Sequence, residues 1–385
     1  MDNQPNSSKK INRREFVNHT GKILALGMVG FPSGPMDFAG NMRPLSDIRI
    51  KNVSSEFERE PLSTPYRFKG NAVTECWQTA AWLESESGTH TIGLVTQGIL
   101  WSDINVFSVH SESGGNALMY AMTERALQII KGNSFKNPMD LLDELLPEVL
   151  EYGRKITGNE NLRKTFALNS LVGVDNAAWL LYARENNIKS FDDMIPDAYK
   201  PGLSYRHDKV ASIPSFAVGT HVEKIKASAD EGYFIMKLKI GSAGSQKEML
   251  EKDMAFLTDV HAALGQYKTP YTKDGKIPYY LDPNGRYEKK ESLLRFLDHA
   301  KKIGAFDQIA LIEEPFAESN EVYVGDMGVI IGADESAHTV EDAARRIEQG
   351  YKVIVLKAIA KTLSMTLKIA QLAYEKDIRC LVSLS

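Results

Sequence analysis

Charged side chains end four short apolar runs in the second half of the chain. Asp282 ends Tyr-Tyr-Leu-Asp, Glu313 ends Ala-Leu-Ile-Glu, Asp334 ends Ile-Ile-Gly-Ala-Asp, and Lys357 ends Val-Ile-Val-Leu-Lys. Successive members are 31, 21 and 23 residues apart, and each interval fits one strand followed by one helix. Because the carboxyl ends of parallel strands meet at one rim, the pattern predicts that each unit delivers a charged group to the same site.

The three carboxylates, Asp282, Glu313 and Asp334, predict a metal site. Carboxylates brought together repel one another and raise one another's pKa unless a cation neutralises them. A set of oxygen ligands without His or Cys favours Mg²⁺, with Mn²⁺ as a substitute, over zinc or copper. The alternative for any one of them is a solvated strand end, and the Glu-Glu-Pro beginning at Glu313 is also a common turn. Their recurrence in consecutive units favours the metal site.

Lys237 and Lys239 form a second chemical feature, in the run Phe-Ile-Met-Lys-Leu-Lys-Ile. Strand alternation puts both lysines on one face and the apolar residues on the other. In a strand buried on both faces, two inward ammonium groups are costly unless anions meet them. Neighbouring positive charge and partial burial are expected to lower the pKa of one lysine toward the range in which it can act as a base. A solvent-facing edge strand is the alternative, and Lys357 on a later strand argues against it.

The elements that must position these groups alternate regularly after Tyr205. We predict strands near 211–218, 234–240, 279–282, 309–313, 329–334, 353–357 and 378–383, with helices at 246–264, 289–303, 340–349 and 364–375. Seven strands alternating with helices predict a parallel sheet, and this length favours a barrel. No G-x-G-x-x-G or P-loop pattern supports a nucleotide site. The segment from Gly241 to Ser245 is predicted to be a strand-to-helix turn, with a phosphate-binding loop as the weaker alternative.

The first half of the chain has a different pattern of predicted strands and helices. Residues 48–103 have the pattern of strands and turns, and 118–130, 141–152 and 170–186 carry apolar residues at helical spacing. Strands and helices in separate blocks predict an α+β domain over residues 45–205, followed by the barrel domain over 206–385. The formal net charge of −4 and the absence of a basic stripe exclude nucleic acid as the expected partner and favour a small molecule.

The N-terminus predicts a targeting segment. Arg13 and Arg14 precede a weakly apolar run from Ile23 to Phe31, an order typical of a twin-arginine export signal over residues 1–35. Export to the periplasm is therefore expected, and a disordered basic leader on a cytoplasmic protein is the alternative. Elsewhere the sequence has no uncharged apolar stretch of the roughly 18 residues that a membrane span needs.

From about Ser170 onward the sequence resembles the enolase superfamily, in its branch similar to mandelate racemase and muconate-lactonizing enzyme. The resemblance rests on K-x-K at Lys237 and Lys239, D-x-N at Asp282 and Asn284, E-x-P at Glu313 and Pro315, A-D-E-S around Asp334 with Glu335, and Lys357 on the sixth strand. It implies an α+β capping domain, with an enclosing loop near residues 63–71, followed by a modified TIM barrel of (β/α)7β type. A homo-oligomer is also implied.

The same resemblance implies roles for these residues. Asp282, Glu313 and Asp334 would bind Mg²⁺, and the metal would hold the substrate carboxylate. Lys239 and Lys357 would act as base and acid at the α-carbon, and Lys237 would tune Lys239. Asn284 and Glu335 would contact the substrate or support these groups.

The expected reaction is removal of a proton alpha to a carboxylate through an enediolate intermediate, by a racemase, epimerase or cycloisomerase. An acid-sugar dehydratase, which is a lyase, and an inactive barrel that only binds ligand are the alternatives. His338 is predicted to be a helix-start residue. The sequence departs from the family where Ala-Ile-Ala-Lys361-Thr-Leu follows Lys357, since relatives usually have a glycine pair there. The chain also stops near the seventh strand, so we expect a C-terminally incomplete barrel that is poorly soluble or weakly active alone.

Overall fold

The computed structural model describes residues 47–68 and 71–383. The predicted export signal with Arg13 and Arg14 lies outside the described residues, as do positions 69–70 of the predicted enclosing loop. From Ile48 onward the chain forms one compact unit. Among the described helices, none combines the length and apolar character needed to cross a membrane.

The first part of this unit is an antiparallel sheet of four strands in the order β3-β2-β1-β4. The strands are β1 (Ile48–Phe68), β2 (Asn71–Ser85), β3 (His90–Thr96) and β4 (Ser134–Phe135). Ile48 and Ile50 are buried whereas Arg49 between them is exposed, which is the predicted strand alternation. β1 and β2 form a long hairpin whose register shifts between Pro61 and Tyr66.

Helices make up the rest of this part, and the three longest of them pack against the sheet. The helices are α1 (Ile99–Ser102), α2 (Ile104–Ile130), α3 (Pro138–Thr157), α4 (Lys164–Glu185) and α5 (Phe191–Met194). Asp103 caps α2 by accepting from the Asn105 and Val106 amides at 2.9 and 3.2 Å. α4 approaches β3 so closely that a Cβ at Gly93 would lie 2.0 Å from the Gly173 carbonyl oxygen. Glycine at this position therefore permits the backbone contact.

Two short 3₁₀ turns, Asp197–Tyr199 and Pro201–Leu203, precede the second part, a parallel sheet of seven strands. The strands are β5 (Ser215–Ala217), β6 (Met236–Lys239), β7 (Tyr279–Asp282), β8 (Ile309–Glu313), β9 (Ile331–Ala333), β10 (Val353–Leu356) and β11 (Arg379–Val382). The spatial order follows the chain order, from β5 at one edge to β11 at the other. Each strand therefore pairs with its sequence neighbour.

Helices connect these strands. They are α6 (Val222–Asp230), α7 (Gln246–Leu264), α8 (Lys290–Lys302), α9 (Val340–Glu348), α10 (Ala358–Lys361) and α11 (Leu363–Glu375), with a 3₁₀ turn at Phe306–Gln308. Ser245 starts α7 with a reciprocal capping box to Glu248. The predicted strands and helices of this half agree with the structure to within a few residues at their ends.

The predicted order of a strand-rich cap followed by a parallel α/β sheet is confirmed. One hydrophobic core runs through both parts, and the indole of Trp179 in α4 donates to the Ser364 hydroxyl in α11 at 2.9 Å. Within the described residues the sheet is open, because β5 and β11 form its edges and do not pair with each other. The division into domains at residue 205 stays a prediction.

Candidate active site

The carboxyl ends of five neighbouring strands carry the charged residues singled out in the sequence. Lys239 is the last residue of β6, Asp282 of β7 and Glu313 of β8. Asp334 and Lys357 directly follow β9 and β10. Since adjacent parallel strands end at the same edge of the sheet, the fold brings all five to one rim.

Lys237, Lys239, Asp282 and Glu313 form the first half of the site, which we call the β6–β8 group. The Lys237 ammonium lies between two carboxylates, 2.5 Å from Glu313 Oε2 and 2.8 Å from Asp282 Oδ2. Lys239 donates to Asp282 Oδ2 at 2.5 Å. Both lysines lie on the strand face opposite the fully buried Met236 and Leu238, as the alternation predicted.

Burial and charge act in opposite directions on this group. Burial alone would lower the pKa of Lys237, but the carboxylates of Asp282 and Glu313 outweigh it and raise that pKa above its ordinary value. The sequence predicted a lowered pKa for one of the two lysines, and for Lys237 the pKa is raised instead, because two carboxylates lie within 2.8 Å of its ammonium. Burial raises the pKa of Glu313 to about 8, and Asp282 adds to the rise although Lys237 opposes it. Burial likewise favours the neutral form of Asp282, but Lys239 and Lys237 lower its pKa overall.

Two further side chains complete the β6–β8 group. Tyr280 donates its hydroxyl to Glu313, and the Lys237 ammonium lies 4.5 Å from the centre of the Tyr280 ring. Asn284 accepts from Lys239 at 3.1 Å and donates to Glu335 Oε1 at 3.3 Å, so the two predicted supporting residues are in contact. Tyr280 was missed in the sequence, although its position two residues before Asp282 puts it on the same strand face.

Asp334, Lys357 and Lys361 form the second half of the site, the β9–β10 group. Lys357 donates to Asp334 Oδ2 at 2.5 Å, and Lys361 lies 3.5 Å from Oδ1 of the same carboxylate. Burial alone would raise the pKa of Asp334, but the two ammonium groups hold it well below its ordinary value. Burial would lower the pKa of Lys357, yet Asp334 raises it, whereas for Lys361 burial prevails and the pKa is lowered.

Between the two groups lies a pair of buried glutamates. Glu314 Oε2 accepts from the Asp334 amide at 2.8 Å and from the Ser336 amide and hydroxyl at 3.3 and 3.0 Å. These bonds hold Glu314 with a φ of 43°, in a region that non-glycine residues rarely adopt. Burial and the neighbouring Glu335 raise the pKa of Glu314 to about 8. Glu314 and Glu335 are therefore additional carboxylates, beyond those that pair with lysines in the β6–β8 and β9–β10 groups.

The first part of the described unit, with strands β1–β4 and helices α1–α5, is called the capping part from here on, and it contributes Trp101 and Arg163. The Trp101 ring covers the β9–β10 group, with its centre 4.8 Å from the Lys357 ammonium. Arg163 donates to the Trp101 carbonyl oxygen at 3.0 Å and forms an ion pair with Glu318, whose other oxygen lies 2.5 Å from His338 Nε2. His338 directly precedes Thr339, the N-cap of α9, as predicted. Nothing in the sequence near Trp101 or Arg163 indicated that they reach the rim.

The turn after β6 has no free amides at its start. The amides of Gly241 and Ser242 lie 2.9 and 3.5 Å from the buried carboxylate of Asp253, which also accepts from the Tyr287 hydroxyl at 3.0 Å. A phosphate would have to displace this carboxylate. The strand-to-helix turn is therefore the interpretation that the structure supports, and Asp253 fixes the backbone that follows Lys239.

The donor set fits a hard divalent cation. Asp282, Glu313 and Asp334 are buried oxygen donors on consecutive strand ends. Asp334 Oδ1 and two further buried oxygens, Glu314 Oε1 and Glu335 Oε2, accept no hydrogen bond from described residues, although Lys361 lies 3.5 Å from Asp334 Oδ1. As the side chains stand, no three acidic, His or Cys residues in the described ranges converge on one point. Lys237 instead lies between Asp282 and Glu313 and compensates both.

The capping part and the charged rim define the class of protein: an α/β protein with its site at the carboxyl ends of parallel strands. Residues 220–384 match the family model described as enolase C-terminal domain-like. Residues 220–384 thus resemble the C-terminal domain of enolase-like proteins. Solved structures of mandelate racemase/muconate lactonizing and enolase superfamily proteins share the fold. No curated protein matches the sequence.

Three solved structures illustrate the shared fold. A mandelate racemase/muconate lactonizing protein from Herpetosiphon aurantiacus is 17% identical in sequence and superposes with a TM-score of 0.63. The alignment covers 87% of this chain and 81% of the Herpetosiphon chain. A dipeptide epimerase from Enterococcus faecalis, complexed with Mg and L-Leu-L-Tyr, is 19% identical with a TM-score of 0.60, at 87% and 82% coverage. An L-talarate/galactarate dehydratase from Salmonella typhimurium is 18% identical with a TM-score of 0.59, at 93% and 82% coverage.

Proposed function

We propose that this protein is a Mg²⁺-dependent racemase or epimerase that moves a proton at the carbon alpha to a carboxylate. The observation that carries the proposal is the pair of lysines on either side of the carboxylates. Lys239 ends β6 and Lys357 follows β10, with the strands that bear Asp282, Glu313 and Asp334 between them. A 1,1-proton transfer needs one base on each face of the substrate carbon, and this arrangement supplies two ammonium groups for it.

Asp282, Glu313 and Asp334 would hold the metal ion. When bound, the ion supplies the positive charge that stabilises the anion formed from the substrate carboxylate as the α-proton leaves. Mn²⁺, which shares the preference for oxygen ligands, is a substitute to test. With Asp334 holding a cation, its negative charge no longer keeps Lys357 protonated, which favours the neutral amine that a base requires.

The proton transfer is then carried by the lysines. In one direction the Lys239 amine takes the α-proton as the C–H bond breaks. The electron pair of that C–H bond passes into the substrate's enediolate. The Lys357 ammonium returns a proton to the opposite face, so that the configuration inverts. Lys237 lies between Asp282 and Glu313 and would keep their charge balanced, and Asn284 would orient Lys239 through its 3.1 Å hydrogen bond.

The substrate class follows from the reaction and from the neighbours. Two neighbours are epimerases for dipeptides, one complexed with L-Leu-L-Tyr and the other an L-Ala-D/L-Glu epimerase from Bacillus subtilis. Dipeptides and N-acyl amino acids are therefore the first compounds to test, and the dehydratase neighbours add sugar acids. His338 is paired with Glu318, so within the described residues the two candidate bases at the rim are lysines. This feature favours epimerisation over dehydration.

The test is proton exchange in D₂O with Mg²⁺ present, for both enantiomers of each candidate. Lys239→Met should lose exchange with one enantiomer and retain it with the other, and Lys357→Met should show the opposite preference. Equal loss with both enantiomers in both single variants would refute two independent bases. Loss of a β-hydroxyl from a sugar acid, detected as a keto product, would establish the dehydratase instead.

A further inference from the structure

Lys361 is a buried lysine that the proposed reaction does not use. It ends the single-turn helix α10, four residues after Lys357, and is 1% exposed. A buried ammonium group is expensive unless it is paired and hydrogen-bonded, so its presence at the rim calls for a role. It lies in the segment where the sequence departs from the glycine pair of the family.

The contacts of Lys361 differ from those of Lys357. Lys361 donates to the main-chain carbonyl oxygen of Asp334 and also lies 3.5 Å from Asp334 Oδ1. Lys357 contacts Asp334 through the side chain, at 2.5 Å from Oδ2. Two ammonium groups thus share one carboxylate, one on each oxygen. Lys361 is anchored to the backbone and Lys357 has no such anchor among its described hydrogen bonds.

We propose that Lys361 is a positioning residue that stays with Asp334 and thereby frees Lys357 to reach the substrate. The inference rests on the proposed function, in which Lys357 must leave its ion pair to exchange a proton. The metal ion proposed to bind Asp334 would offset only part of the negative charge at the rim, where Asp282, Glu313, Glu314 and Glu335 are also buried or nearby. If Lys357 were the sole ammonium beside Asp334, its departure would therefore leave excess buried negative charge, which is unfavourable. Lys361 keeps one positive charge beside Asp334 whether or not Lys357 is there.

The position of Lys361 beside Asp334 should also weaken metal binding. Lys361 places one positive charge beside Asp334, so it repels any cation that Asp334 holds. Removing the charge should therefore tighten Mg²⁺ binding, while Lys357 becomes the only ammonium for Asp334 and is less available for exchange. A purely structural loss would do the opposite to the metal, because a disordered Asp334 binds Mg²⁺ more weakly. The two effects together distinguish positioning from misfolding.

The experiment compares Lys361→Met and Lys361→Arg with the wild-type protein and with Lys352→Met, a control that removes an exposed lysine before β10. Calorimetry with Mg²⁺ alone should show Lys361→Met binding roughly tenfold or more tightly than wild type. At saturating Mg²⁺, exchange with the enantiomer handled by Lys357 should fall roughly 10- to 100-fold, whereas exchange through Lys239 stays within about threefold. Lys361→Arg, which keeps the charge and the donors, should retain most of both properties.

The outcomes separate the two proposals. Weaker or unchanged Mg²⁺ binding in Lys361→Met, with an unaltered thermal midpoint, overturns the positioning role. So does equal loss of exchange with both enantiomers. If wild-type protein exchanges no α-proton from any carboxylate, the proposed function fails, and the change in Mg²⁺ affinity still decides whether Lys361 compensates Asp334.

Discussion

Asp175 should make the stability of this protein depend on pH. It lies in α4, is 5% exposed, and accepts hydrogen bonds from the hydroxyl and the amide of Ser364 at 2.5 and 3.1 Å. It thereby caps the start of α11 and joins the capping part to the parallel sheet. Burial raises the pKa of Asp175 from its ordinary value of 3.8 to about 6, although the bonds from Ser364 oppose the rise.

The sign of the effect follows from linkage. An acid whose pKa is higher in the folded state binds more protons when folded, so stability decreases as pH rises between the two pKa values. The difference of about two units at ~1.4 kcal/mol each gives a maximum of about 3 kcal/mol. Between about pH 4.5 and pH 7.5 the expected change from this residue is about 2 kcal/mol.

Asp175→Asn removes this titration and keeps one acceptor oxygen for Ser364. We expect the free energy of unfolding of the variant, relative to wild type, to rise by about 2 kcal/mol over that pH range. Urea unfolding at several pH values measures it, and taking the difference cancels the other titrating groups. Asp298→Asn, which alters an exposed carboxylate of α8, is the matched control and should show no such trend.

The reasoning would be refuted by a difference between Asp175→Asn and wild type that stays flat or falls as pH rises. A flat difference would mean that Asp175 is equally easy to ionise in both states. A falling difference would mean that the charge is stabilised in the folded state, for example by Lys368, more than burial destabilises it.

Three other predictions test the site, the fold and the leader. Asp282→Asn and Glu313→Gln should abolish turnover and weaken Mg²⁺ binding, as measured by calorimetry, while leaving the circular dichroism spectrum unchanged; equal Mg²⁺ affinity in both variants would locate the metal elsewhere. Gly93→Ala should lower the free energy of unfolding by about 3 kcal/mol or more, because the new methyl group would overlap the backbone of α4. Replacing Arg13 and Arg14 with lysine should keep the protein in the cytoplasm of the expressing cell; unchanged fractionation would reduce the leader to a disordered tail.

The parallel sheet could be predicted well because its signals are local. Short apolar runs ending in a charged residue, separated by about one helix, mark both the strands and their ends. The run from Tyr279 to Asp282 and that from Ile309 to Glu313 match the observed strands residue for residue. The strands of the capping part were harder to predict from the sequence. The lengths of β1 and β2 depend on pairing with each other rather than on apolar content.

In the site, the sequence indicated which residues meet but not how their charges balance. It indicated that anions should meet the inward lysines but not that Lys237 would lie between Asp282 and Glu313. These carboxylates raise the pKa of Lys237, whereas a lowered pKa was expected for one lysine of the pair. Lys361 was noted as a departure from the family pattern, yet its contact with Asp334 depends on the turn after β10. Trp101 is more than 200 residues from Lys357 in the chain, so the contact between them could not be read from either segment.

The sequence alone therefore determined the fold class, the strand ends and the set of charged residues at the rim, because alternation and strand-to-helix spacing are properties of neighbouring residues. Only the tertiary structure decided the ionic pairings, the closure of the rim by the capping part and the direction of each pKa shift. Those features depend on distances between groups far apart in the chain and on the burial that packing creates, and a Coulomb interaction in a buried site changes steeply with both.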